Sequence, residues 1–185
     1  TDLLYHFLAP ILLAVSGENG EYPHRVSAGG GLFDNNDGRE VPDVFMMTVD
    51  YPSKYTVYLE STVTNEFSVP PRLYGRYGTM EIAEDTNHIV MDSTGAYRDK
   101  FREANNGYEH LIVPPTGTHR DMEGNFIDVI RQGGKLNCNV DLGATTMVAI
   151  KMGVEAYRQS RTLLWDAEKE KVVTATDAKT PRKKS

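Results

Sequence analysis

The sequence predicts an α+β fold: an open, largely antiparallel or mixed β-sheet with helices on one face and the other face used for oligomerisation. Three observations lead there. A helix-period apolar run opens the chain, strands rich in Val, Thr, Tyr and Phe fill the middle, and two more helix-period segments come late. With 185 residues, 39% of them hydrophobic and 25% charged, the chain is long enough to bury a core.

The opening "TDLLYHFLAPILLAV" places Leu3, Leu4, Phe7, Leu8, Ile11 and Leu12 at helical spacing, with Thr1 or Asp2 available as N-cap. The run from Leu3 to Val15 covers 13 residues and is interrupted by His6 and Pro10. A membrane span needs about 20 apolar residues, and a signal peptide would show a basic leader and a small-residue cleavage site. The segment therefore reads as a core helix. Because the sequence starts at a helix cap without an initiator methionine, it reads as a processed or excised piece of something longer.

"SGENGEYP" is a turn-rich connector, "HRVSAGGGLF" a strand running into glycines, and "DNNDGRE" a polar loop. "DVFMMTVDYPSKYTVYLEST" is the clearest pair of elements, two β-prone runs flanking the turn chemistry of "YPSK". Met47, Val49 and Tyr51 alternate with Met46, Thr48 and Asp50, so one face is greasier. Val, Met, Tyr and Phe on both sides of this hairpin favour a partner on the second face, a second copy of the chain. "RLYGRYGTMEIAEDTNHIVMD" supplies further short strands broken at Gly75 and Gly78, and the signal is weak from Ala96 to Pro115.

"HRDMEGNFIDVIRQGG" is a helix with Met122, Phe126, Ile127 and Ile130 in register, stopped by Gly133 and Gly134. "DLGATTMVAIKMGVEAYRQSR" is a longer one whose apolar stripe includes Met147, Ile150, Val154 and Tyr157. "TLLWDAEKEKVV" closes with strand and polar turn, and the basic "TPRKKS" is a solvated tail. No internal repeat or interior linker is evident, so residues 1–173 read as one domain and 174–185 as the tail.

A net charge of −6 argues against a broad nucleic-acid footprint. Cys138 is the only cysteine, so no internal disulfide can form, and with no second thiol or histidine nearby it reads as a partly buried, inert thiol. Gly29-Gly30-Gly31 lacks the spaced glycines and following helix of a dinucleotide fingerprint, and reads as a weakened strand or bulge. His24, His88 and His110 stand alone, with no partner at ligand spacing. His119 begins a helix whose Asp121 and Glu123 answer the dipole.

Asp2 and His6 lie one turn apart, on one face of the first helix. They are either a cap and an ordinary half-buried imidazole, or a general acid/base held by a carboxylate. A neighbouring carboxylate orients the ring and fixes its tautomer. A reference pKa of about 6.5 lets histidine exchange a proton near neutral pH.

"TDLLYH" resembles the D-x-x-x-H segment of the glucose–fructose oxidoreductase and inositol dehydrogenase (Gfo/Idh/MocA) family. "DGREVPDVFMMTVDYP", "YLEST", "LYGRYGTMEI", "HRDMEGNFIDVIRQGG" and "EAYRQSRTLLWD" follow in that family's order, up to about Val173. The resemblance implies the C-terminal, substrate-binding and oligomerising domain of an oxidoreductase. NAD or NADP would be bound mainly by an N-terminal Rossmann domain outside this sequence. It places the family's aspartate and histidine at Asp2 and His6, with His6 moving the proton of a sugar or polyol hydroxyl and Asp2 orienting it. A lysine from the nucleotide domain usually assists, and nothing here corresponds to it. Ala9 stands where the family often has another aspartate, which bears on substrate contacts more than on proton chemistry.

The implied partners are a sugar-like small molecule and a second or further copies, as homodimer or homotetramer, with no nucleic acid and no membrane. The compartment is cytoplasmic by default, with an exported form left open. Two other readings stand beside this one: an NAD-dependent glycoside hydrolase of the same family, and a non-catalytic assembly domain.

Overall fold

In the computed structural model, the structure describes residues 3–35, 37–66, 69–83, 88–114 and 122–174. In chain order the elements are α1 (Leu4–Ser16), β1 (Arg25–Gly31), β2 (Val44–Asp50), β3 (Thr56–Thr62), β4 (Arg72–Tyr74), β5 (Gly78–Ala83) and β6 (His88–Ser93). A short 3-10 turn leads into α2 (Arg98–Ala104), then β7 (His110–Val113), α3 (Met122–Gln132), α4 (Val140–Gln159), β8 (Leu163–Asp166) and β9 (Lys171–Thr174). The fold is α+β, as the sequence predicts. Its strands, however, form two antiparallel sheets rather than one, in the orders β3-β2-β1-β8-β9 and β4-β5-β6-β7. The residues fall into two compact units, one made of those up to Glu66 and from Met122 onward, the other of those between.

The first unit is built on the alternation read in the sequence. Phe45, Met47, Val49, Val57 and Leu59 are buried on one face of the β2–β3 hairpin. The turn is closed by Tyr51 and Tyr55, whose backbones hydrogen-bond across it at 3.0 Å, with Lys54 at φ 65°. The opposite face departs from the expected two-sided greasy pattern. Only Met46 and Tyr58 of the hairpin stand out there as large exposed apolar side chains, among Thr48, Thr56 and Glu60. A period of two sends successive side chains to opposite faces, so the apolar residues at 45, 47 and 49 could not also line the open one.

α1 and α4 cover the buried face. Leu4, Leu8 and Leu12 of α1 join Leu142, Ala149, Ile150, Met152 and Ala156 of α4 in one core with the sheet. Each such leucine contributes roughly 1.5–3 kcal/mol on burial. Asn139 caps α4 by accepting the Leu142 N–H at 2.8 Å. α4 approaches the sheet closely at Gly153, where a Cβ would stand 2.7 Å from the Met47 methyl and that side chain would have to shift. Met147, expected on the apolar stripe, is exposed: the helix presents Leu142, Thr145, Thr146 and Ala149 inward instead, and the two threonine hydroxyls satisfy themselves on the Leu142 carbonyl at 3.0 and 2.7 Å. α3 is helical over the described part of its expected span, yet it buries no side chain, and Met122, Phe126, Ile127 and Ile130 are all exposed.

β8 returns to pair with the start of β1, at Arg25↔Leu164 and Val26↔Leu163. The loop between β1 and β2 is organised by Asp43, which is buried. Its carboxylate accepts the backbone N–H groups of Phe33, Asp34 and Asn35 at 2.8–3.1 Å.

In the second unit, α2 inserts Phe101 against the four-stranded sheet, where a Cβ on Gly78 would meet its ring at 2.6 Å. This helix and β7 occupy the stretch whose sequence signal is weak.

Candidate functional site

His6 sits in the first turn of α1, and its side chain is exposed. Leu4, Leu8 and Leu12 face the core, so the helix turns Leu3, His6, Phe7 and Leu13 outward at spacings of three and four. The imidazole is thus set in an exposed apolar stripe rather than packed among the leucines. Asp2 lies outside the described residues, and the described ones give His6 no carboxylate partner. Pro10 has no N–H to return to the His6 carbonyl four residues earlier, so the helix carries one fewer bond at this point.

The ring of Tyr5 meets that of His6 edge to face, with centroids 6.0 Å apart and planes at 90°. Tyr5 Oη in turn lies 3.2 Å from Cys138 Sγ. The hydrogen bond with Cys138 and, secondarily, burial push the Tyr5 hydroxyl up to about 12. Cys138 is half-buried, as the sequence reading has it. Its role as the partner of Tyr5 could not be read from the sequence, because 133 residues separate the two.

A second polar feature lies on the open face of the five-stranded sheet, across the sheet from α1. Arg25, Ser27, Thr48, Asp50, Thr56 and Thr162 line a wide, shallow cleft of about 250 Å³. Arg25 Nε donates to Asp50 Oδ2 at 2.7 Å, the Thr56 hydroxyl donates to Oδ1 at 2.7 Å, and Ser27 Oγ lies 2.8 Å from Thr162 Oγ1. The Thr56 and Arg25 donors hold the Asp50 carboxyl below its ordinary value.

The isolated histidines need one correction. His110 is not alone: the register of β6 and β7 sets Asp92 opposite it, and Nδ1 lies 2.7 Å from Asp92 Oδ1. Both side chains are well exposed, which makes this a surface pair of small energetic weight. His24 serves through its backbone, its N–H donating to the Asp50 carbonyl at 2.8 Å. His119 lies outside the described residues, and of His88 only the strand position is described.

The triple glycine does not form a dinucleotide-binding turn. Gly29, Gly30 and Gly31 lie inside β1, paired with Met46, Phe45 and Val44 of β2, and open no helix. Gly30 is at φ 137° with the Val44 carbonyl where a Cβ would sit, and Gly31 lies under the Phe33 ring. These two are glycines for strand geometry and close packing, in keeping with the weakened-strand reading. Among the described residues no three His, Cys, Asp or Glu side chains could hold a metal ion. No described helix is long and apolar enough to cross a membrane.

No family model and no curated protein matches the chain. Solved structures do. An NAD-binding protein from Listeria innocua is 19% identical with a TM-score of 0.61, over 88% of this chain and 50% of that one. An aldose-aldose oxidoreductase from Caulobacter crescentus, complexed with glycerol, is 20% identical with a TM-score of 0.60, over 86% of this chain and 45% of that one. An oxidoreductase from Agrobacterium radiobacter in complex with NAD+, L-tartaric acid and magnesium is 14% identical, with a TM-score of 0.56 over 88% and 47%. The chain spans about half the length of the solved chains it resembles. Its fold is that of about one half of each of them, as the sequence resemblance to the Gfo/Idh/MocA oxidoreductases implies.

Proposed function

We propose that this chain is the substrate-binding and oligomerising half of an NAD(P)-dependent oxidoreductase acting on a sugar, polyol or related hydroxy compound. The observation that carries the reading is the fold, shared with chains twice as long that include an NAD-binding protein and an aldose-aldose oxidoreductase. The small molecules held in two of those structures, glycerol and L-tartaric acid, both carry neighbouring hydroxyls. NAD or NADP would be bound mainly by a domain outside this sequence, which suits a chain about half as long as the solved chains it resembles. His6 is exposed on a helix whose other side is locked into the core. In the proposed role it takes the proton of a substrate hydroxyl as the carbinol carbon is oxidised, and returns it in the reverse direction. Asp2, one turn earlier, would accept a hydrogen bond from the imidazole and hold it in one tautomer.

The direct test uses the full-length protein with NAD and with NADP, against aldoses, polyols and hydroxy acids, read by nicotinamide absorbance. Turnover of at least one such compound is expected. Release of sugar from an aryl glycoside only in the presence of NAD, with no net change in absorbance, would replace oxidation by hydrolysis.

The open face of the five-stranded sheet is the proposed contact between copies, with Met46 and Tyr58 as its exposed apolar groups. The protein is expected to sediment as a dimer or tetramer at micromolar concentration. A monomer under those conditions would remove this face from the assembly.

A further inference from the structure

We propose that Tyr5 is the positioning residue for the His6 imidazole, with the Cys138 thiol as its anchor. Neighbouring side chains on a helix diverge by about 100°. Tyr5 accordingly turns toward α4 while His6 turns outward, yet the two rings still touch at right angles, 6.0 Å between centroids. In that arrangement the electropositive edge of one ring meets the electron-rich face of the other.

The far end of Tyr5 is tied down at its hydroxyl. That oxygen is 3.2 Å from Cys138 Sγ, beside Gly143 in the first turn of α4, where the absence of a side chain leaves room for it. Cys138 immediately precedes Asn139, the residue that caps α4. The anchor therefore sits directly before the longest helix among the described residues, whose inner side is fixed in the core. The raised pKa of the hydroxyl keeps it protonated throughout the range in which His6 would work.

A carboxylate at Asp2 would fix the tautomer of His6, and a ring at its side adds a constraint on the rotamer. Leu3, Phe7 and Leu13, which share its side of α1, are exposed and offer no hydrogen bond. An imidazole that sweeps several rotamers spends little of its time in the orientation that proton transfer requires. A ring wedged beside it narrows that sweep without competing for the proton. The importance of the contact rests on the reading of His6 as an acid/base; the contact itself does not.

The test is nuclear magnetic resonance on this chain, reading the three-bond couplings of the His6 side chain and the cross-peaks between the Tyr5 and His6 rings. Wild type is expected to show single-rotamer couplings and clear cross-peaks. Cys138→Ser, which keeps a hydroxyl partner for Tyr5, should match it. Tyr5→Leu should give averaged His6 couplings, and Cys138→Val should weaken the cross-peaks. Should Cys138→Val not fold, methylthiolation of Cys138 in the folded wild type makes the same measurement. Single-rotamer couplings in folded Tyr5→Leu, or undiminished cross-peaks once the thiol is lost or blocked, overturn the proposal. If the couplings behave as expected while His6→Ala leaves turnover unchanged, the positioning stands and the catalytic reading fails.

Discussion

In the full-length protein, His6→Ala is expected to lower turnover by about 10²-fold or more while leaving nucleotide affinity nearly unchanged. The size follows from what is removed. A positioned general base accounts for about 10²–10⁴ in rate, and alanine leaves only water to take the hydroxyl proton. The selectivity follows from where His6 sits. It is a surface residue of α1, its helix is secured by Leu4, Leu8 and Leu12 on the other side, and in the proposed function the nucleotide is held mainly by another domain. The variant should therefore fold and bind NAD or NADP as before, with the loss falling on kcat. His6→Gln should fare no better, since an amide keeps polarity but cannot exchange a proton near neutral pH. Steady-state kinetics with a fluorescence titration of the nucleotide separate the two quantities. Unchanged turnover would take His6 out of the chemistry.

The largest stability loss from a single polar substitution is expected at Asp43. Its buried carboxylate accepts three consecutive backbone N–H groups, those of Phe33, Asp34 and Asn35. Its own N–H and C=O join the ends of β1 and the segment after β3, through Gly31 and Val63 at 3.1 and 3.0 Å. Asp43→Ala strands all three loop donors at once, and the melting temperature should fall by about 5–10 °C. Asp43→Asn should recover only part of this, because its amide group points donors at donors. The pH dependence has a definite sign. The N–H groups of Asn35 and Asp34 chiefly, and of Phe33, outweigh burial and lower the Asp43 pKa from 3.8 to about 2. Its contribution is then complete above pH 4 and lost as pH falls through 2. Calorimetry from pH 7 to pH 2 should show the gap between wild type and Asp43→Asn closing in that window. A constant gap would mean that the carboxylate charge is not what holds the loop.

How much of this was legible beforehand depends on the range of the interaction. The β2–β3 hairpin was plain because alternation and turn residues act over a few positions, and α1 and α4 because leucines recur at helical spacing. α2 and β7 were not, since Phe101 is the one buried side chain that α2 offers. Partition of the strands into two sheets was beyond reach for the same reason. It turns on β8 closing against Arg25 and Val26 from more than 130 residues away. The site divides likewise. His6 announces itself as a titratable group in an apolar helix, whereas Tyr5–Cys138, Asp92–His110 and the Asp43 loop clasp exist only once distant segments meet.

The proline in α1 has one last consequence. A helix bends most cheaply where a rung of its ladder is missing, and in α1 that place lies between His6 and Pro10. Here, however, Leu4 and Leu8 clamp the turns on the N-terminal side of the gap to the core as firmly as Leu12 clamps the C-terminal side. The missing rung is thus spanned by leucines on both sides, and packing rather than backbone hydrogen bonding keeps this stretch of α1 straight.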